Sequence, residues 1–98
     1  MTDNITALIF ESLDEVNSQL PPDRRVPKAL ETPLFGKDGR LDSLGMVNFI
    51  VVLEQKILNE LKITINITDD YFMAQQESPL RSVRTLEEYL RLRLARNK

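Results

Sequence analysis

Residues 42–61 read DSLGMVNFIVVLEQKILNEL, and this stretch decides the fold. Asp42 and Ser43 are both strong N-cap candidates, so a helix is predicted from here to about Leu61. Its apolar residues fall into two adjoining stripes, one of Met46, Phe49, Ile50, Leu53 and Ile57 and one of Leu44, Val47, Val51 and Leu58. Together the stripes cover about 200° of the helix, against roughly 100° for a typical surface helix. The helix is therefore either buried on two sides, or one stripe is exposed for a partner.

A second helix is predicted upstream, from about Asp3 to Gln19. Its apolar residues recur at helical spacing on one face: Ile5, Leu8, Ile9, Leu13, Val16 and Leu20. Pro21 and Pro22 end it, because proline disfavours a helical conformation in the residue before it. Residues 21–42 are rich in proline and glycine and show no sustained period. A loop of about twenty residues is uncommon in a compact domain and is usually functional or disordered.

Residues 62–68 alternate apolar and polar side chains, a pattern that taken alone predicts a strand. No second strand-like segment is present to pair with it, and a lone strand leaves its backbone hydrogen bonds unmade. We therefore expect an extended connector whose Ile63, Ile65 and Ile67 point inward.

Two further helices complete the predicted fold. A short helix is expected at 71–73, and the last helix is expected to start at a capping box formed by Thr85 and Glu88. The predicted class is all-α, a small four-helix bundle with three main helices and one short helix. A long loop joins helices 1 and 2, and residues 1–98 form a single domain.

The composition excludes several classes of protein. Of the 98 residues, 42% are hydrophobic and 29% are charged, which is typical of a globular domain. Cysteine and histidine are both absent, which excludes disulfides, thiolate nucleophiles, imidazole bases and Cys/His zinc sites. No apolar run is long enough to span a membrane, and the N-terminus lacks the regions of a signal peptide. We therefore expect a cytoplasmic protein without a membrane span.

The distribution of charge bears on possible partners. The net charge is −2, but residues 79–98 are basic whereas the rest of the chain is acidic. A basic tail can indicate nucleic-acid binding. Here Tyr89 is the only aromatic residue in the tail, so we expect a solvated basic helix face and no nucleic-acid partner.

No cluster of residues indicates an enzyme or a metal site. Without histidine, Ser43 cannot belong to a Ser/His triad. Asp38, Asp42, Asp69 and Asp70 lack the residue order of a calcium-binding loop. We expect neither catalysis nor a bound metal.

The long loop ending in Asp42-Ser43-Leu44 at a helix start, within this order of helices, resembles the acyl carrier protein family. The resemblance implies that Ser43 carries a covalent 4′-phosphopantetheine arm and that Asp42 and Leu44 flank the attachment point. It also implies that a phosphopantetheinyl transferase modifies the serine. Partner recognition is expected at one side of the motif helix, at Leu44, Val47, Asn48 and Val51. The implied function is to carry acyl groups as thioesters for fatty-acid, polyketide or other specialised lipid synthesis.

The sequence also departs from the family pattern. Fatty-acid carriers usually have a motif helix rich in carboxylates, whereas this helix has acids only at Glu54 and Glu60. We therefore expect a monomeric carrier dedicated to a specialised acyl ligase or synthase. Two alternatives remain: an aminoacyl or peptidyl carrier with the same arm, and an unmodified helical module for protein interaction.

Overall fold

Helices make up the regular structure of the residues that the computed structural model describes, 4–36 and 39–96. Three helices have bundle length: α1 (Asn4–Asn17), α2 (Ser43–Leu61) and α4 (Val83–Arg96). Between α2 and α4, α3 (Asp70–Met73) is a single turn, and two short 3₁₀ turns cover Pro22–Arg24 and Pro79–Arg81. These described residues contain no strand, so the all-α prediction is confirmed. The single-domain prediction over 1–98 includes residues outside the described ranges and stays a prediction.

The core lies between the three long helices. α1 packs against both α2 and α4. Each helix contributes one buried stripe: Leu8, Ile9, Leu13 and Val16 from α1, Phe49, Ile50, Leu53 and Ile57 from α2, and Val83, Leu86, Leu90 and Leu94 from α4. The α1 and α2 stripes match the helical spacing in the sequence, because residues three and four apart share one face of a helix.

The loop between α1 and α2 is anchored in the core. Val26, Leu34 and Leu41 are buried, which gives the loop three apolar anchor points. The side-chain amide of Asn17 donates to the carbonyl of Val26 over 2.9 Å, and its carbonyl oxygen accepts from the Val26 amide over 2.7 Å. The amide of Leu41 donates to the carbonyl of Leu34 over 2.9 Å. The chain is therefore held in place immediately before α2 begins.

The connector after α2 is extended and is not part of a sheet in the described residues, as predicted. Lys62 ends the helix in the left-handed conformation, with φ 58°, and its amide donates to the carbonyl of Leu58. Ile65 and Ile67 are buried and Ile63 is half-buried. The amide of Ile67 donates to a carboxylate oxygen of Glu54 over 2.8 Å. A side chain therefore provides the acceptor that a neighbouring strand would provide in a sheet.

The predicted start of the last helix was wrong. α4 begins at Val83, and reciprocal hydrogen bonds at its start join Ser82 and Thr85 rather than Thr85 and Glu88. The amide of Thr85 donates to the hydroxyl of Ser82 over 3.2 Å, and the amide of Ser82 donates to the hydroxyl of Thr85 over 3.0 Å. Burial of Val83 in the core accounts for the earlier start.

Candidate functional site

At the start of α2, the two N-cap candidates, Asp42 and Ser43, lie in different environments. Asp42 is the N-cap, and its carboxylate accepts a hydrogen bond from the amide of Gly45 over 2.7 Å. Ser43 is the first residue of the helix and is exposed to solvent. Because the carboxylate occupies the capping position, the serine hydroxyl is free to face solvent.

The hydroxyl of Ser43 differs from those of the other serines. All five serines of the chain lie in the described ranges, and four of their hydroxyls are hydrogen-bonded. Those of Ser12 and Ser18 donate to backbone carbonyls, and those of Ser78 and Ser82 accept from backbone amides. Within the described part of the chain, the hydroxyl of Ser43 has no hydrogen-bond partner. Among the serines of the described ranges, Ser43 therefore combines an exposed position with a hydroxyl that is not hydrogen-bonded.

A positive charge lies beside the helix start. Arg24, from the 3₁₀ turn in the loop, places its guanidinium 3.8 Å from the carboxylate of Asp42. Both side chains are well exposed, so this ion pair contributes little to stability. The α2 N-terminus adds free amides and a partial positive charge. An anionic group on Ser43 would therefore lie in a favourable electrostatic environment.

The wide apolar surface of α2 divides into a buried and an exposed stripe. Phe49, Ile50, Leu53 and Ile57 are buried, and Met46 is half-buried. The other stripe faces solvent, with exposed fractions of 70% for Leu44, 51% for Val47, 50% for Val51 and 39% for Leu58. We call these four residues the α2 stripe. Of the two arrangements predicted from the sequence, the structure has the one with an exposed stripe.

Each side of the α2 stripe borders a depression. On the α1 side, Asn48 and Val51 line a shallow pocket of 190 Å³ together with Glu15 and Gln19. On the opposite side lies a mainly apolar groove of 430 Å³, which we call the α2 groove. The lining of the groove includes Met46, Val47, Ile50 and Val51 of α2 and Phe72 and Met73 of α3.

The charged residues near the α2 stripe have partners. Glu54 accepts the amide of Ile67, and the ammonium of Lys56 lies 3.0 Å from the carboxylate of Glu15. Little free charge therefore remains on the central part of the helix. A surface of this kind favours contacts through apolar burial over contacts through charge.

Four basic residues of the C-terminal part also lie against carboxylates. Arg81 pairs with Glu77, Arg84 with Glu31, Arg91 with Glu87 and Arg93 with Asp69. Hydrogen bonding to Glu31 raises the pKa of Arg84 above its ordinary value. These four guanidinium groups form local ion pairs instead of an unpaired basic surface.

Other features of the described residues bear on the sequence predictions. Within 4–36 and 39–96, no three carboxylates lie close enough together to hold a metal ion. Asp38, one of the four aspartates considered for a cation loop, lies outside the described residues. In the same ranges, every helix is too short or too polar to cross a membrane.

Comparisons with protein-family models, curated proteins and solved structures found no match. The resemblance to acyl carrier proteins therefore rests on the residues of this chain and on the order of its elements. Ser43, Asp42, Leu44, Val47, Asn48 and Val51, which the sequence marked as site residues, all lie on or next to the exposed side of α2.

Sequence reasoning missed two parts of this site. One is Arg24, whose proximity to Asp42 depends on how the long loop folds. The other is the far wall of the α2 groove, formed partly by Phe72 and Met73. The contrast between a buried Phe72 and an exposed Met73 is not visible in a helix of one turn, because periodicity needs a longer window.

Proposed function

We propose that this protein is a discrete acyl carrier protein with a 4′-phosphopantetheine arm attached to Ser43. The arm carries acyl intermediates as thioesters, for fatty-acid, polyketide or other specialised lipid synthesis. The observation that carries the proposal is the exposed hydroxyl of Ser43 at the first position of α2, left without a hydrogen bond because Asp42 forms the cap.

The surroundings of Ser43 suit a phosphodiester. The arm is joined to serine through a phosphate, whose negative charge is favoured at a helix N-terminus. Arg24 adds a cation near this position. The serine needs no catalytic base of its own, because a phosphopantetheinyl transferase supplies the chemistry.

The order of elements supports the same proposal. An acyl-carrier-like bundle has this order: a first helix, a long anchored loop, a helix starting at the modified serine, a short helical turn and a last helix. In this arrangement α3 serves as the short helix of the bundle.

The α2 groove favours an acyl group over an amino acid as cargo. It adjoins the exposed stripe, and its surface is mostly apolar. A fatty chain gains free energy when apolar surface leaves water, about 0.8 kcal/mol for each buried CH₂. A polar aminoacyl group gains much less from the same surface.

The α2 stripe is the proposed recognition surface for the transferase and for a dedicated acyl ligase or synthase. Leu44, Val47, Asn48 and Val51 are all exposed in the N-terminal half of α2, the half that begins at Ser43. Because the acids of α2 are few and Glu54 is engaged, apolar contacts carry the binding. A cytoplasmic location and a monomeric state remain predictions from the sequence.

The cargo can be tested on protein loaded from acyl-coenzyme A. A transferase of broad specificity installs an octanoyl or a glycyl form of the arm on Ser43, and amide chemical shifts are compared with those of the unacylated form. We expect the octanoyl group to shift the amides of Val51, Phe72 and Met73, and the glycyl group to leave them unchanged. Identical shifts with both cargoes would contradict an acyl-binding role for the groove.

A further inference from the structure

A segment of residues 66–75 lies between α2 and α4 and contains α3. We call it the strap. Its residues Asn66, Thr68, Phe72 and Met73 form one side of the α2 groove. The strap is attached on its α2 side through the amide of Ile67, which donates to Glu54.

The attachment to α4 is centred on Arg93. Its two terminal nitrogens donate to the two carboxylate oxygens of Asp69, over 3.1 and 2.8 Å. The same carboxylate accepts the amide of Phe72 over 3.1 Å and so caps α3. Arg93 also donates to the hydroxyl of Tyr89 over 2.5 Å, and that hydroxyl donates to the carbonyl of Ile67 over 3.4 Å.

This attachment is stronger than an ordinary surface ion pair. The side chains of Arg93 and Asp69 are only 17% and 32% exposed, and the pair is bidentate. Two parallel charge-assisted hydrogen bonds in a partly buried site exceed the strength of an exposed pair. Burial lowers the pKa of Arg93, but hydrogen bonds with Asp69 and Tyr89 outweigh it, so the net pKa is raised and the guanidinium stays charged.

Apart from the buried side chains of Ile67 and Phe72, little else stabilises the strap. α3 has four residues, and isolated helices of this length are unstable in water. α3 has no extensive backbone packing against any other described element. Phe72 is buried with its ring edge-on to that of Tyr89, at 5.5 Å between centroids, whereas Met73 and Ala74 are exposed. Segments with few buried contacts open at lower free energy than the core.

We propose that the strap opens as a unit while α1, α2 and α4 stay folded, and that the Arg93–Asp69 pair sets how often it opens. Opening removes Phe72 and Met73 from the groove and uncovers the side of α2 that bears Ile50. The pair therefore sets how often the α2 groove loses this side. This inference stands independently of whether Ser43 is modified.

Amide hydrogen exchange on the full chain tests the role of the pair. Arg93→Gln removes the charge, while Asp69 can still cap α3. Loss of a hydrogen-bonded charge pair predicts that the amides of Met73 and Ala74 exchange about tenfold faster or more. Arg84→Gln is the matched control, because Arg84 lies on the same helix and pairs with Glu31, both at exposed positions. It should change these two rates less than about twofold, as exposed pairs contribute little.

The wild-type protein supplies a second, independent measurement. Local opening exposes little surface, so exchange at Met73 and Ala74 should depend weakly on low concentrations of guanidinium, whereas exchange at Leu53 should depend steeply. Equal dependence at all three amides would show that the strap opens only with the whole bundle and would overturn the proposal. Equal rates in Arg93→Gln and Arg84→Gln would overturn the role of the pair.

Discussion

Asp42 and Ser43 show how adjacent polar residues can take different functions at a helix start. Both residue types are good N-caps, so the sequence alone does not decide between them. The loop decides, because the buried Leu41 and its hydrogen bond to Leu34 fix the chain just before Asp42. With Asp42 as the cap, Ser43 begins the helix with its hydroxyl in solvent.

The capping role of Asp42 can be tested by stability. Asp42→Ala removes the hydrogen bond to the amide of Gly45 and should lower the free energy of unfolding by about 1 kcal/mol. Asp42→Asn keeps a capping oxygen and should lose much less. Urea denaturation measures both variants. Asp23→Ala, at an exposed position in the same loop, is the control, and an equal loss in Asp42→Ala and Asp23→Ala would show that the cap contributes nothing.

At the scale of the element, α2 is defined by its two apolar stripes. The pattern predicted both stripes but left open whether both are buried or one is exposed, because periodicity measures amphipathicity and not the number of neighbouring elements. The position of α1 settles this, since it covers one stripe and leaves Leu44, Val47 and Val51 in solvent. The α2 stripe therefore follows from the packing of the bundle.

Val47→Glu tests whether the α2 stripe binds partners. The substitution places a charge on an exposed apolar contact and should reduce the rate of cargo loading by the partner enzyme about tenfold, a loss of ~1.4 kcal/mol. The circular dichroism spectrum and melting temperature should stay near wild type, because Val47 is half exposed. Leu92→Glu is the matched control, at a similarly exposed apolar position on α4. Normal loading by a folded Val47→Glu variant would contradict this role.

Recognition through the α2 stripe should depend only weakly on salt. Interactions between exposed charges are screened beyond about 8 Å at physiological ionic strength, whereas apolar burial is not. We expect the loading rate to change little between low and moderate salt. A steep loss over that range would instead indicate recognition through carboxylates outside the central part of α2.

The connector after α2 carries a prediction about stability. Ile65→Asp would bury a charge without a partner and should destabilise the domain by a few kcal/mol, roughly 2–4. Thr64→Asp, at the exposed neighbouring position, is the control and should stay within about 0.5 kcal/mol of wild type. Denaturant unfolding compares the two. Similar stabilities would show that Ile65 does not contribute to the core.

The start of α4 shows why one local prediction failed. Ser82 and Thr85 can both cap a helix, but only Thr85, with Glu88 three residues later, matches the capping-box pattern. Tertiary contacts favour the earlier start after Ser82, because the amide of Val83 donates to the carbonyl of Thr32 and its side chain is buried. A local rule cannot include a contact fifty residues away.

At the scale of the whole molecule, the contacts that build the site join distant parts of the chain. The helices and most of their buried faces were predictable, because apolar residues recur at helical spacing within each helical segment. The reciprocal hydrogen bonds of Asn17 with Val26, the approach of Arg24 to Asp42 and the pairing of Arg93 with Asp69 were not. Each of these contacts depends on how a loop or a connector folds. Loops and connectors have no periodic sequence pattern from which the contact could be predicted.

The central claim is that Ser43 carries a phosphopantetheine arm. The most direct test is intact mass after incubation of the full chain with coenzyme A and a phosphopantetheinyl transferase of broad specificity. Wild type and Ser18→Ala should each gain one phosphopantetheinyl group, because Ser18 is an exposed serine whose hydroxyl is already hydrogen-bonded to the backbone. Ser43→Ala should gain none and keep its helical spectrum. An unchanged mass of the wild type, or modification of Ser43→Ala, would contradict the claim.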